Sequence, residues 1–294
     1  MSALGLGTAQ LGLPYGVSNR CGQPSEEEAA AILECALAGG VETIDTAPAY
    51  GEAEALLGRL LPATAGVGIV TKTPPLASEE VSVGDCDAVA RSAERSLERL
   101  GRERLDGLLL HHGAELALPG GKQLAARLAA LREAGLVEKL GVSVYDRAEL
   151  DAARERLEID LVQLPLNAFD QRLLRDGTLA ELREAGVAVH VRSAFLQGLL
   201  LMEVAELPAS LAAAAGPLRR FEELRRRRGL SRIEAALGPL RDQPGVDVVL
   251  VGANSARELR ECVAAMREVA PGGGLSEELA VADPELIDPR RWAR

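Results

Sequence analysis

Eight short apolar runs, alternating with stretches of helical periodicity along most of the chain, limit what it can fold into more than any other feature. The runs are Leu4–Gly7, Val41–Asp45, Gly68–Thr71, Leu105–Leu110, Lys139–Val144, Leu161–Leu164, Val187–Arg192 and Val246–Val251. Most are continuous in Val, Ile and Leu, the pattern of strands buried on both faces. Between them, Ser25 with Glu28 three residues on spells a capping box, and Gly39-Gly40 supplies the left-handed stop of that helix. Helices are also predicted over Asp87–Leu100, Leu124–Ala134, Ala148–Leu157, Leu179–Ala185, Ser231–Leu240 and Ala256–Ala270. Eight such units in 294 residues close into a (β/α)8 TIM barrel more readily than they open into a doubly wound sheet. The open alternative calls for a glycine fingerprint after the first strand, and Gly5-Leu6-Gly7-Thr8-Ala9-Gln10 lacks the third glycine. No linker composition divides the chain. Residues 1–294 therefore read as one barrel domain, with 271–294, rich in proline and opening on Gly272-Gly273-Gly274, as a C-terminal tail.

Two connections, Thr8–Pro24 and Ser193–Ala213, are long enough to suggest functional loops. Aromatics are only 2% of residues, so Leu, Ala and Val must fill the core, and each aromatic near a strand end gains weight. The net charge of −11 and the lack of a basic tract interleaved with aromatics argue against nucleic-acid binding. Arg225–Arg228 follows Glu222 and Glu223 and reads as a solvated helix face. Cys21, Cys35, Cys86 and Cys262 are scattered without a CxxC, which suits reduced thiols and no metal site. The N-terminus spells no signal peptide, and no apolar run approaches the ~20 residues that span a membrane. A soluble, cytoplasmic monomer is the expectation.

Chemistry gathers where runs end. Asp45-Thr46-Ala47-Pro48-Ala49-Tyr50-Gly51 follows the second run, Lys72 closes the third and His111 the fourth. The C-terminal ends of barrel strands form the working face. Each residue has a structural use by itself: a turn cap for Asp45, packing for Tyr50, a surface ammonium for Lys72, a backbone contact for His111. Together they look like one proton-transfer site.

Those strings, with Leu4-Gly5-Leu6-Gly7-Thr8, Thr71-Lys72, Leu108-Leu109-Leu110-His111 and Gly141-Val142-Ser143, resemble the aldo-keto reductases of the short-loop bacterial type, in order along nearly the whole chain. The resemblance implies an (α/β)8 barrel that reversibly reduces aldehyde or ketone carbonyls with NAD(P)H. A free tyrosine has a pKa near 10, and a neighbouring ammonium lowers it. Tyr50 would then be the general acid, Lys72 the group that tunes it, Asp45 the carboxylate that holds Lys72, and His111 the group that orients the carbonyl. The same resemblance puts Gly7 and Thr8 near the nicotinamide ribose, counts Asp45 among the cofactor contacts, and sets Ser143 and Gln163 on the carboxamide. It sets Ser193, Phe195, Leu196, Gln197 and Gly198 around the pyrophosphate, and Gly252, Ala253, Asn254, Ser255 and Glu261 at the adenosine end.

The match departs in places. Val144 stands where many relatives carry Asn, and Arg192 where a Tyr often stacks on the nicotinamide. Arg192 can stack, meet a phosphate, or ion-pair inside the barrel mouth. NADP(H) is favoured from the family and NAD(H) is possible. Arg257 is the sole candidate cation for a 2′-phosphate, with Glu258 opposing it. A small carbonyl substrate would meet Pro14, Tyr15, Pro48, His112, Tyr145 and Trp292. The short tail and short loop after His112 suggest an open pocket. Two other readings use the same scaffold: a nucleotide-binding regulatory subunit with little turnover, and a Schiff-base lyase with Lys72 as nucleophile.

Overall fold

The computed structural model describes all residues except Ala63, 269–273 and 293–294. Its strands are β1 (Ala3–Gly7), β2 (Thr43–Asp45), β3 (Gly68–Lys72), β4 (Leu105–Leu110), β5 (Val137–Ser143), β6 (Leu161–Pro165), β7 (Ala188–Arg192) and β8 (Val248–Val251). Each pairs in parallel with its sequence neighbours, and β1 also pairs with β8, so the sheet closes into a barrel. The strands coincide with the eight apolar runs to within two residues at most ends.

Strand alternation sorts side chains into an inward and an outward set. Inward, Val70, Leu109 and Leu161 form a small apolar plug. Two residues further along the same three strands come Lys72, His111 and Gln163. The polar layer therefore sits one pleat above the plug, at the C-terminal mouth. Outward residues such as Leu6, Ile44, Ile69 and Leu108 join the main core between the strands and the surrounding helices. Each fully buried Leu or Ile there contributes about 1.5–3 kcal/mol.

The helices agree in place with their predicted positions: Glu26–Ala38, Val83–Leu100, Gly121–Glu133, Arg147–Arg154, Thr178–Glu184, Arg232–Arg241 and Ala256–Glu268. The helix Ala53–Leu60 is an addition to that set, only eight residues long. Ser25 accepts from the Glu28 backbone N–H, but the capping box stays half made. The Glu28 carboxylate instead accepts from the Ala256 N–H, at the start of the last barrel helix. At the other end of that first helix, Gly40 takes the positive φ of 74° and Gly39 remains right-handed. The predicted end of the last helix at Ala270 and the glycines Gly272 and Gly273 lie outside the described residues.

Two expectations need correction. The run Arg225–Arg228 ends the helix Ala215–Arg228, yet Arg225 is only 20% exposed and faces the barrel's cleft while it pairs with Glu222. The tail is a packed strap, with Leu279, Leu286 and Ile287 buried. Asp288, also buried, ties down Arg290, whose Nη2 lies 2.7 Å from Asp288 Oδ2.

Candidate active site

Lys72 is 2% exposed. Its Nζ donates to Asp45 Oδ2 at 2.6 Å and to the Thr46 carbonyl at 3.0 Å. The other carboxylate oxygen of Asp45 accepts from Gln163 Nε2 at 2.7 Å. The Lys72 ammonium also lies 5.0 Å from the centre of the Tyr50 ring, close enough for the charge of each to act on the other. His111 meets Tyr50 edge-on at 6.2 Å between centroids.

Tyr50 is held here by its backbone. Gly12, on the first loop, packs against the Tyr50 carbonyl so closely that a Cβ at Gly12 would lie 1.7 Å from that oxygen. Facing it, Gly51 takes a positive φ of 56°. The Tyr50-Gly51 pair is thus a turn that a bare backbone approaches, and this fixes where the phenol emerges.

The electrostatics follow from burial. Burial pushes the Tyr50 phenol up, and Asp45 adds to this. Lys72 and Arg192 pull it down without reversing the direction. Sequence reasoning anticipated the pull of Lys72 and omitted the larger effect of desolvation. For Lys72 itself burial lowers the pKa, but the charges of Asp45 and Tyr50 outweigh it, and the ammonium is stabilised. His111 is pushed down to about 3 by burial, then by the charge of Lys72, the neighbouring His112 and Arg192. It is a neutral imidazole at any physiological pH, able to donate from one nitrogen. Its Nδ1 is buried without a partner among the described residues.

These groups line the floor of a cleft of about 930 Å³ that runs across the barrel mouth. Of the residues singled out from sequence, Gly7, Thr8, Asp45, Tyr50, Lys72, His111, Ser143, Gln163, Arg192, Ser193, Phe195, Gln197, Gly198, Gly252, Asn254 and Glu261 line it, as do Tyr15, His112 and Tyr145. Leu196 and Ala253 do not, because both side chains are buried in the core. Ser255 instead caps the last barrel helix, accepting from the Glu258 N–H. Arg257 is 84% exposed and does not line the cleft, though it pairs with Glu261, which does. Pro14 and Pro48 also stay out of it. Trp292 packs on the core, and Pro289 and Arg290 line the cleft in its stead.

The mouth is less open than the loop lengths suggested. The loop after β1 crosses over the cleft: Val17 N–H donates to the Gln197 carbonyl at 2.9 Å, and Asn19 Nδ2 donates to Asn254 Oδ1 at 3.1 Å. Beneath it, Ser193, Leu196 and Gln197 adopt positive φ of 60°, 49° and 54°, strained conformations that persist where a site requires them. Gln10, Asn19, Arg232 and Arg290 also line the cleft without being singled out by the sequence: the first two lie in the long connection after β1, Arg232 opens a helix and Arg290 lies in the tail, while Glu258, noted beside Arg257, lines it too. The one available signal was the length of the first loop.

The buried Asp45–Lys72 pair, the Tyr50 phenol and the His111 imidazole thus meet at the C-terminal mouth of a parallel barrel. The sequence profile of the Aldo/keto reductase family matches residues 3–271, and this chain belongs to that family. It is 25% identical over 285 residues to the aldo-keto reductase YhdN of Bacillus subtilis, covering 88% of this chain and 83% of that protein. It is 28% identical over 179 residues to the D-arabinose 1-dehydrogenase of Saccharomyces cerevisiae, where the match spans about half of each chain (53% and 53%). Among solved structures, an aldo-keto reductase from Bacillus halodurans in its holo form superimposes with a TM-score of 0.75. That match covers 98% of this chain and 94% of that one at 20% identity, a likeness of fold.

Proposed function

We propose that this protein reduces aldehyde or ketone carbonyls to alcohols, reversibly, with a nicotinamide dinucleotide. The observation that carries the reading is the Asp45–Lys72–Tyr50 cluster beside a neutral His111 on the floor of a cleft. Reduction requires a hydride at carbon and a proton at oxygen. A bound nicotinamide supplies the hydride, and the residues of this chain manage the oxygen. Tyr50 gives the proton, and Lys72 stabilises the phenolate left behind. Asp45 keeps Lys72 charged and in place. His111 offers a hydrogen bond to the carbonyl oxygen as negative charge develops on it. In the oxidative direction the Tyr50 phenolate takes the proton back.

The cleft suits such a cofactor. Its volume is that of a cofactor site. Gly252 presents a bare backbone to Gln10, where a Cβ would lie 2.1 Å from the amide oxygen, and the Ser193–Gly198 turn offers a strained, glycine-ended backbone. Gly7, Thr8, Ser143 and Gln163 would hold the nicotinamide half. Ser193, Phe195, Gln197 and Gly198 would hold the pyrophosphate, and Gly252, Asn254 and Glu261 the adenosine end. The family favours NADP(H). Here, however, Glu258 and Glu261 face that end and Arg257 does not. The reading is therefore that both nucleotides bind and that this chain gains little from a 2′-phosphate. A monomer acting on a small soluble carbonyl compound fits the acidic surface.

The test is direct. Purified protein is titrated with NADPH and NADH by fluorescence, then given a panel of aldehydes, with Tyr50→Phe in parallel. The phenylalanine variant should lose turnover by 100-fold or more (about 10²–10⁴) and keep nucleotide affinity. Failure to bind either nucleotide ends the reductase reading. Binding without turnover on any carbonyl turns it toward a regulatory role, and borohydride trapping of substrate on Lys72 would favour lyase chemistry.

A further inference from the structure

Six cations line the cleft: Arg20, Lys72, Arg192, Arg225, Arg232 and Arg290. Five are matched by carboxylates: Arg20 by Glu206, Lys72 by Asp45, Arg225 and Arg232 by Glu222, and Arg290 by Asp288. Arg192 has none among the described residues. Its guanidinium donates to the Val144 carbonyl at 3.1 Å, makes a long 3.4 Å contact with Ser193 Oγ, and lies 4.0 Å from the centre of the Tyr145 ring. It is partly buried, and a charge in that setting is costly without a partner.

Its position is set by the barrel. Arg192 ends β7 two residues beyond His190, and Gln163, the residue that pairs with His190 in the sheet, belongs to the inward polar layer. The charge of Arg192 acts on Tyr50, His111, His112 and Tyr15, all at the carbonyl end of the cleft. The acids nearby are already engaged. Glu149 accepts from the Tyr145 N–H at 2.7 Å and reaches Arg290 at 3.3 Å, and Glu115 accepts from the Leu76 N–H at 2.7 Å. The mouth beside the reacting carbonyl therefore carries one unanswered positive charge. It is held in plane by a carbonyl on one group and an aromatic ring against its face, so little is lost in ordering it on binding.

We propose that Arg192 seats an anionic group of the substrate, so that the carbonyl compounds this enzyme takes are those carrying a carboxylate. The proposal rests on the carbonyl-reductase reading. A carboxylate is the natural complement of a planar guanidinium and replaces the missing ion-pair partner. The other anion that can reach this region is a phosphate of the nucleotide itself, and the experiment separates the two.

Two aldehydes of similar size, 4-carboxybenzaldehyde and 4-nitrobenzaldehyde, are compared with wild type, Arg192→Met and Arg192→Lys, and their different intrinsic reactivity cancels in the ratio between proteins. Nucleotide dissociation constants are measured for each protein. In Arg192→Met the ratio of kcat/KM for carboxylate over nitro substrate should fall about 10- to 100-fold, the worth of a charge-assisted pair, mainly through KM. Arg192→Lys should recover part of it. A ratio that does not move overturns the proposal. So does a loss of nucleotide affinity as large as the loss in kcat/KM, which would assign Arg192 to a cofactor phosphate. Calorimetric binding of the unreactive dianion terephthalate provides an arm that needs no turnover. If wild type bound it through Arg192 yet reduced neither aldehyde, the reductase reading would fall and the anion seat would stand.

Discussion

Replacing Lys72 with methionine keeps most of the volume and removes the charge. In the native protein the ammonium is 2% exposed and satisfies Asp45 Oδ2 at 2.6 Å and the Thr46 carbonyl at 3.0 Å. The variant leaves a buried carboxylate with Gln163 as its remaining donor. Orphaning one half of a buried pair costs about 3–5 kcal/mol. At about 2–4 °C per kcal/mol for a chain of this size, the melting temperature should drop by about 6–20 °C. Adding Asp45→Asn removes the stranded charge, and the double variant should regain at least half of that loss. Activity should not follow. Without Lys72 nothing comparable offsets the burial that raises the Tyr50 pKa, so single and double variants should both lose about 10²–10⁴ in kcat. The sign with pH is also fixed. The folded pKa of Lys72 is raised, so its contribution is complete below the ordinary lysine value and is lost only as pH rises through the raised one. The gap in melting temperature between wild type and Lys72→Met should therefore be flat from pH 6 to about 10 and close above that. Thermal melts and steady-state kinetics on 4-nitrobenzaldehyde read all of this. A double variant as unstable as the single one, or one that regains activity with stability, would refute the reasoning.

Three further outcomes are expected. His111 and His190 are held down to about 3 and about 4, chiefly by burial. Both are neutral when folded and take up protons when unfolded, so their contribution is present above the ordinary value near 6.5 and is lost as pH falls below it. His190→Gln should shallow the acid side of the urea stability profile by about 1.4 kcal/mol per pH unit between 6.5 and 4, and an unchanged slope would contradict this. Gly12→Ala drives a methyl into the Tyr50 carbonyl. It should cost about 1–3 kcal/mol in urea unfolding and depress turnover by displacing the phenol. Normal kinetics would mean that the turn gives way elsewhere. Glu258→Gln removes a carboxylate that faces the cleft while its amide can still accept from the Asn254 N–H, now 2.7 Å from Oε2. The NADPH-to-NADH affinity ratio should rise about 2- to 5-fold, within the ~1 kcal/mol scale of solvent-exposed charge pairs. A ratio that stays put would remove Glu258 from cofactor choice.

Local patterning made the strands legible. Runs such as Leu105–Leu110 and Leu161–Leu164 are buried on both faces, so their composition alone marks them. The tetrad was legible for a related reason: Asp45, Lys72 and His111 each end an apolar run, and a parallel barrel brings all such ends to one rim. The helix Ala53–Leu60 was hidden by its shortness. The misplacement of Ser255, Arg257 and Trp292 has another cause. Their roles depend on which way a helix face or a strap turns after several long-range contacts, and spacing along the chain carries no such information.

The closed barrel, the order of its strands and the gathering of Asp45, Lys72 and His111 at strand ends were thus readable from the chain alone. These depend on hydrophobic period and on strand ends, which are properties of neighbouring residues. Only the tertiary structure decided that Tyr50 is raised by burial more than Lys72 lowers it, and that Glu28 seals a helix 228 residues away. It also decided that, among the described residues, Arg192 has no carboxylate partner while every other cleft cation is paired. Those are balances of desolvation and charge at a point in space, summed over groups from distant parts of the chain that only the folded barrel brings within reach of one another.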